Sequence, residues 1–437
     1  MDEIFNETGE FWIIGNEESK FSGKLISNEH YFLESNLNSA LKEDYKNVTT
    51  IIGKINGIYV TLYKTHLYNN SNNLGFMIEY IFKNYDFNQE LSFKEIKFQF
   101  DKLNKWITDS AYVMNMNQVE LSCEIQNKHV NLDNFSIDLL FDDILNKKTD
   151  NYLINFKILF YYNKFREFED ILKDIEILKN FFTLAIYSKI NLIEITILIK
   201  DENNSQQEIN IFSKHNISNN NVDYNWFDMI IQYHEIERNF GEILQNWFEK
   251  YSTFKPFFDI YFLNITSKLY AEALLITYID SLEYFMSHND LFDDKFMTPH
   301  DYEQIFNKFQ TFIESLDIDD DHKTALKNTV EHGYSHTLRK RLKDLFKKLK
   351  DYEVLNEIIS QYGKPKEFIN IVVNTRNYYT HYGNKNQWVA SGDKLLILDF
   401  TLRLILDLCI LNELKLPKNY INNILRKKLT YSLKLLK

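Results

Sequence analysis

The sequence predicts an α+β protein: a β-rich N-terminal domain over residues 1–222, an antiparallel sheet or sandwich, then an all-α bundle over 223–437. Three observations carry this. Up to about residue 200, short runs of β-branched and aromatic residues alternate with clusters of Asn, Gly, Ser and Asp. From Trp226 onward, apolar residues recur at the 3.6-residue helical period. Between these, Asp201 to Asn225 is polar and Asn/Ser-rich, which reads as a domain boundary with one edge strand inside it.

The strands are expected, in order, at Val48 to Ile52, Gly57 to Leu62, Phe76 to Phe82, Val119 to Ile125 and Tyr152 to Tyr161. Phe98 to Trp106 and Glu167 to Phe182 have helical spacing. In the second half, helices are expected at Tyr270 to Phe285, Tyr302 to Leu316, Lys323 to Leu349, Pro365 to Tyr382 and Lys394 to Leu414, packed as a bundle of four or five. No internal repeat interrupts this plan. With 44% hydrophobic and 16% aromatic residues, the 437-residue chain can bury two or three cores.

Charge and cysteine content remove several classes. A net charge of −12 argues against a protein that coats nucleic acid nonspecifically. Cys123 and Cys409 cannot build a disulfide framework, so a reducing cytoplasm is expected. The opening MDEIFNETGEF carries acids where a signal peptide needs positive charge and an apolar core. Leu395 to Leu411 is apolar, but Asp399, Arg403 and Asp407 at steps of four would each cost about 2.5–3.5 kcal/mol at a bilayer centre. They are expected instead to form the polar stripe of an amphipathic helix, and no membrane span is expected.

Chemistry concentrates in Thr375 to Gly383, TRNYYTHYG. On a helix starting near Pro365, Phe368, Val372, Thr375, Tyr379 and Tyr382 form the apolar stripe, and the helix is expected to end at the glycine. At about 100° per residue, Arg376, Asn377, Thr380 and His381 fall on the other side. Arginine offers a planar, always-charged fork for phosphate, and histidine exchanges protons near neutrality. Asn377, one turn before His381, can hydrogen-bond to it or to phosphate. Tyr382 is suited to packing or stacking a base, because a phenol titrating near 10 carries protons poorly at neutral pH.

Arg376-x4-His381 has the spacing of the HEPN superfamily, whose Arg-x4–6-His motif forms a metal-independent ribonuclease site. With 7 Arg and 11 His, the bare spacing arises by chance roughly 0.2 times. Its neighbours carry the resemblance further. RKRL at Arg339 to Leu342 and DSLEYF at Asp280 to Phe285, with RNYYTHYG, resemble the C-terminal half of ApeA-type anti-phage proteins. More loosely, Trp12 to Gly23, Gly53 to His66 and Leu103 to Trp106 resemble their N-terminal domain.

The resemblance implies Arg376 and His381 as catalytic residues, Glu283 as an ion-pair support for Arg376, and a homodimer that sets two motifs across one cleft. It also implies abortive-infection defence, a structured cellular RNA such as tRNA as target, and an N-terminal domain that meets a phage-derived trigger. The alternative is a catalytically silent HEPN module that dimerises or binds RNA beside a partner.

Two basic stretches flank the motif. Nine cations between Lys323 and Lys350 face Glu331 and Asp344, and seven cations follow from Lys415 without an acid. Arg339, Lys340 and Arg341 are the candidates for the RNA backbone, set against an ordinary solvated face.

No cofactor or metal is expected. Asp317 to Asp321 starts like a calcium loop, but His322 stands where the turn glycine belongs and Asn328 where the bidentate glutamate belongs. His332 and His336 lack a third ligand and read as a helix-surface pair, and His234 to Arg238 falls short of HExxH. Neither a Walker loop nor a dinucleotide fingerprint is present.

Overall fold

A computed structural model describes residues 5–70, 73–84, 91–104, 106–107, 112–115, 118–121, 127–146, 151–200, 206–213 and 229–435. Cys123 and the expected 222/223 boundary lie outside the described residues, as does the end of the strand expected at 119–125. The chain divides into two compact units, 1–245 and 246–437.

The first unit is antiparallel throughout its main sheet. Strands β1 (Asn6–Ile13), β2 (Phe21–Ser27), β3 (Tyr31–Asn38), β4 (Thr50–Ile55), β5 (Ile58–Asn70) and β6 (Asn73–Lys83) pair in the ring β1-β2-β3-β6-β5-β4 and close on themselves. The alternation of the sequence sends Phe11, Phe21, Leu25, Leu33, Ile51, Leu62 and Phe76 into the barrel core. Asn56 and Gly57, at φ 51° and 86°, form the two-residue turn of the β4–β5 hairpin. Gly53 sits opposite Phe11, where an added Cβ would lie 2.3 Å from the ring.

One strand leads out of the barrel. Along a single edge, β6 pairs with β3 at Gly75 to Ile78 and with a further strand, β14, at Tyr80 to Phe82. The second part of the sheet comprises β7 (Ser92–Phe100), β10 (Lys128–Asn131), β11 (Phe135–Asn146), β12 (Asn151–Glu167), β13 (Leu192–Lys200) and β14 (Gln206–Ser213), in the order β14-β13-β7-β12-β11-β10. β8 (Tyr112–Asn115) and β9 (Gln118–Leu121) form a separate hairpin.

Helix α1 (Phe168–Ile186) buries Phe168, Ile171, Ile175, Leu178 and Phe182. It corresponds to the helix expected at Glu167 to Phe182. The helical spacing of Phe98 to Trp106 is misleading at its start, because β7 continues through Phe100. Trp106 is buried, and its indole N–H donates to the Ile231 carbonyl at 2.8 Å. The strand expected within 201–225 exists as β14, but it lies inside the sheet between β13 and β6 rather than at an edge.

α2 (Phe240–Tyr251) runs across the division. The second unit continues with α3 (Lys255–Thr266), α4 (Ala271–His288), α5 (Pro299–Glu314), α6 (Asp320–Glu331), α7 (Leu338–Lys348), α8 (Glu353–Ser360), α9 (Pro365–His381), α10 (Asp393–Glu413) and α11 (Lys418–Leu435). It holds more helices than the four or five expected.

The helix expected from Lys323 to Leu349 is two. At the break, an added Cβ on Gly333 would meet the Tyr302 hydroxyl at 2.3 Å, and Thr337 then caps α7 by accepting from the Lys340 N–H. His332 and His336 therefore flank a turn and do not share a helix surface; His336 is buried against Phe296. Asp319 caps α6, accepting from the His322 N–H at 2.9 Å.

α10 is apolar around most of its circumference and runs through the core. The expected outward stripe is corrected here: Asp399 and Asp407 are buried and Arg403 is half-buried. Asp407 accepts from the Tyr261 hydroxyl at 2.6 Å. Among the described residues, no helix is long and apolar enough to cross a membrane.

Candidate functional site

α9 carries the motif. Pro365 begins it, and the Glu367 carboxylate accepts from the Lys364 N–H at 3.1 Å, tying down the first turn. Phe368, Ile369, Val372 and Thr375 are the buried residues of this helix. Thr375 is satisfied by the segment that follows the helix, its hydroxyl accepting from the Ala390 N–H at 2.9 Å. The segment after the helix folds back along it, with Asn386 donating to Asn374 at 2.9 Å and Tyr379 donating to the Ala390 carbonyl at 3.4 Å.

The helix ends at His381, two residues before the expected glycine. Tyr382 takes the left-handed conformation, φ 48°, and its N–H donates to the Tyr378 carbonyl at 2.6 Å. Its side chain is not part of the buried stripe: Tyr382 is 74% exposed, with the Tyr378 ring 6.2 Å away.

His381 and Asn377 are exposed on the face opposite Val372. Arg376 is not on that face. About 50° around the helix from the centre of the buried side, it is half-buried, and its Nε is buried without a hydrogen-bond partner. No hydrogen bond or ion pair holds its side chain among the described residues.

Two carboxylates of α4 feel the charge of Arg376. Burial raises Glu283 above the usual carboxylate range, with Arg341 first and Arg376 second pulling it back and Asp280 pushing it further up. Asp280 is likewise raised by partial burial and lowered by Arg376.

The ion pair of Glu283 itself is with Arg341, at 3.6 Å. Arg341 also lies 3.9 Å from Asp294 and donates to the Ser287 hydroxyl at 3.3 Å, with 15% of its side chain exposed. It is enclosed between α4, α7 and the segment after α4. Of the three backbone candidates, Arg341 is thus held inside, Lys340 is bonded to Asp344 one turn on, and Arg339 is exposed and donates to Asn370 of α9. In the second basic stretch, Arg426 is bound to Glu357 at 2.6 Å and Glu353 at 3.2 Å, and Lys428 is buried.

Sequence reasoning missed the Arg341–Ser287–Asp294 cluster, whose members are distant in the chain. It counted Lys343 and Lys347 in the basic stretch but did not single them out as backbone candidates. Their signal was present: Arg339, Lys343 and Lys347 step by four while Leu342, Leu345 and Phe346 form the buried side. Among the described residues, no group of three or more His, Cys, Asp or Glu is placed to hold a metal.

The Apea-like HEPN family matches residues 276–420, which contain α9, and ApeA N-terminal domain 1 matches residues 6–247. No curated protein and no solved structure matches the chain. The chain therefore belongs to the ApeA family, with ApeA N-terminal domain 1 followed by an Apea-like HEPN domain.

Proposed function

We propose that the chain is a metal-independent endoribonuclease that cuts a cellular RNA, tRNA among the candidates, during anti-phage abortive infection. HEPN domains are typically ribonucleases that often dimerise and bind RNA, and the family supports an anti-phage HEPN effector. The observation that carries the nuclease reading is Arg376. A half-buried guanidinium with no hydrogen bond or ion pair among the described residues is costly unless an anion completes it, and it sits five residues before an exposed histidine.

In the proposed reaction the 2′-oxygen attacks phosphorus, and the bond to the 5′-oxygen breaks. A base takes the 2′-hydroxyl proton and an acid delivers one to the departing 5′-oxygen, leaving a 2′,3′-cyclic phosphate and a 5′-hydroxyl. His381 is suited to one of these proton roles, and a second His381 from a two-fold mate supplies the other. Arg376 stabilises charge on the nonbridging oxygens. DNA lacks the nucleophile and is spared. The N-terminal unit is the proposed receiver of a phage-derived trigger.

The test is cleavage of total RNA and of tRNA by the purified full chain in excess EDTA. New 5′-hydroxyl ends are expected, and they should disappear in His381→Ala at unchanged thermal stability. Wild-type cleavage by that variant would remove the site assignment. A chain that binds RNA and never cuts it would favour the silent-module alternative.

A further inference from the structure

The outer side of α7 carries a row of exposed cations. Arg339, Lys343 and Lys347 are exposed and follow one another at steps of four, about 6 Å of helix rise apart. Such rows are usually neutralised by acids one turn away. Here the single acid of α7, Asp344, is taken by Lys340. Lys343 and Lys347 have no side-chain hydrogen bond or ion pair among the described residues.

The row is joined to the motif helix. Arg339 donates to Asn370, which shares one side of α9 with Lys366, Asn377 and His381. The Phe346 ring lies 5.7 Å from Phe368. α7 therefore packs beside Phe368 and Asn370 in the first half of α9, the half that carries Lys366, which is exposed and has no side-chain hydrogen bond or ion pair among the described residues. Asn370 is eleven residues from His381, about 16 Å of rise. In a chain of net charge −12, α7 thus presents exposed cations without an acidic partner among the described residues, and the first of them touches the side of α9 that bears His381.

We propose that Arg339, Lys343, Lys347 and Lys366 form a track for the phosphates of single-stranded RNA on one side of the cut. The inference rests on the nuclease reading only in taking that RNA to be the substrate. Lysines on a convex helix supply point charges and no base-edge contacts, so the track adds affinity without sequence preference.

The test uses a labelled RNA of about twelve nucleotides with 2′-O-methyl groups, which can bind but offers no nucleophile. For the full chain, Lys343→Gln/Lys347→Gln should weaken binding about tenfold at about 150 mM salt and lower the slope of log K against log salt by about 1.4. Lys343→Arg/Lys347→Arg should restore both. Lys308→Gln, an exposed lysine on α5, should bind as wild type.

Wild-type affinity and slope in the glutamine double variant would overturn the track. So would a wild-type chain that ignores this RNA and binds an acidic peptide. Cleavage of unmodified RNA, measured in parallel, scores the nuclease reading by itself. Track-dependent binding without cleavage would sink that reading and keep the track, and cleavage with unmoved binding would do the reverse.

Discussion

Arg376 shows how one side chain can be read two ways. Its spacing from His381 is a property of the sequence, so both residues are found without coordinates. Its surroundings are a property of packing. The guanidinium is half-buried beside α4, and the carboxylate expected to hold it, Glu283, is nearer to Arg341. Since the terminal fork would orient phosphate, Arg376→Lys should lose at least about 100-fold in kcat/KM, nearly as much as Arg376→Ala. Near-wild-type cleavage by the lysine variant, at equal thermal stability, would reduce Arg376 to a diffuse charge. Tyr382 allows a separate experiment. A non-glycine residue in the left-handed region costs about 1–2 kcal/mol, and this one is exposed. Tyr382→Gly should therefore raise the urea-unfolding free energy by about 1 kcal/mol. If the ring stacks a base, KM for RNA rises in the same variant; a loss of stability would mean that the ring packs.

At the scale of elements, α10 carries the clearest lesson about what periodicity conceals. Steps of four correctly align Asp399, Arg403 and Asp407 on one side, but the pattern does not say whether that side meets water or another helix. The apolar residues surrounding them were the better guide, because a helix apolar on most sides belongs inside. Burial pushes Asp399 up to about 8, with Glu272 adding to the rise, and neither carboxyl oxygen has a hydrogen-bond partner among the described residues. An acid whose folded value lies above its unfolded value near 3.9 holds its proton more tightly when folded. Its contribution to stability is therefore greatest below about pH 4, declines as pH rises to about 8, and is level beyond. Asp399→Asn should flatten this decline and stabilise the fold at pH 7 by on the order of 2–4 kcal/mol. Urea unfolding at pH 5 and pH 8 checks it, and parallel declines in both proteins would refute the assignment. The division of Lys323 to Leu349 into α6 and α7 was hidden for a related reason. Gly333 is tolerated by helical periodicity, while its close approach to Tyr302 depends on a residue thirty-one positions earlier.

For the whole molecule, the order of a β-rich half and a helical half was legible from composition and period. The closure of six strands into a barrel was not, since strand order depends on pairings distant in sequence. The proposed function turns on assembly at this scale. Arg376 and His381 point about 140° apart around one helix, so the expected active unit is a homodimer through the helical unit. Mixing wild-type chains with a threefold excess of His381→Ala should cut activity to about a quarter, provided subunits exchange, because most active chains would then sit in mixed pairs. Undiminished activity, or turnover by a species of monomer mass in light scattering, would contradict it. A last consequence comes from β6, which gives the same edge to β3 and then to β14. The barrel and the open sheet cannot separate without breaking this strand's ladder, so they should melt as one cooperative block despite having different shapes. In native-state hydrogen exchange, the amides of β6 should be among the slowest of the first unit, and those of β3 and β14 should be released by the same opening. Exchange of β14 by a markedly easier opening than β3 would show that the shared strand transmits nothing.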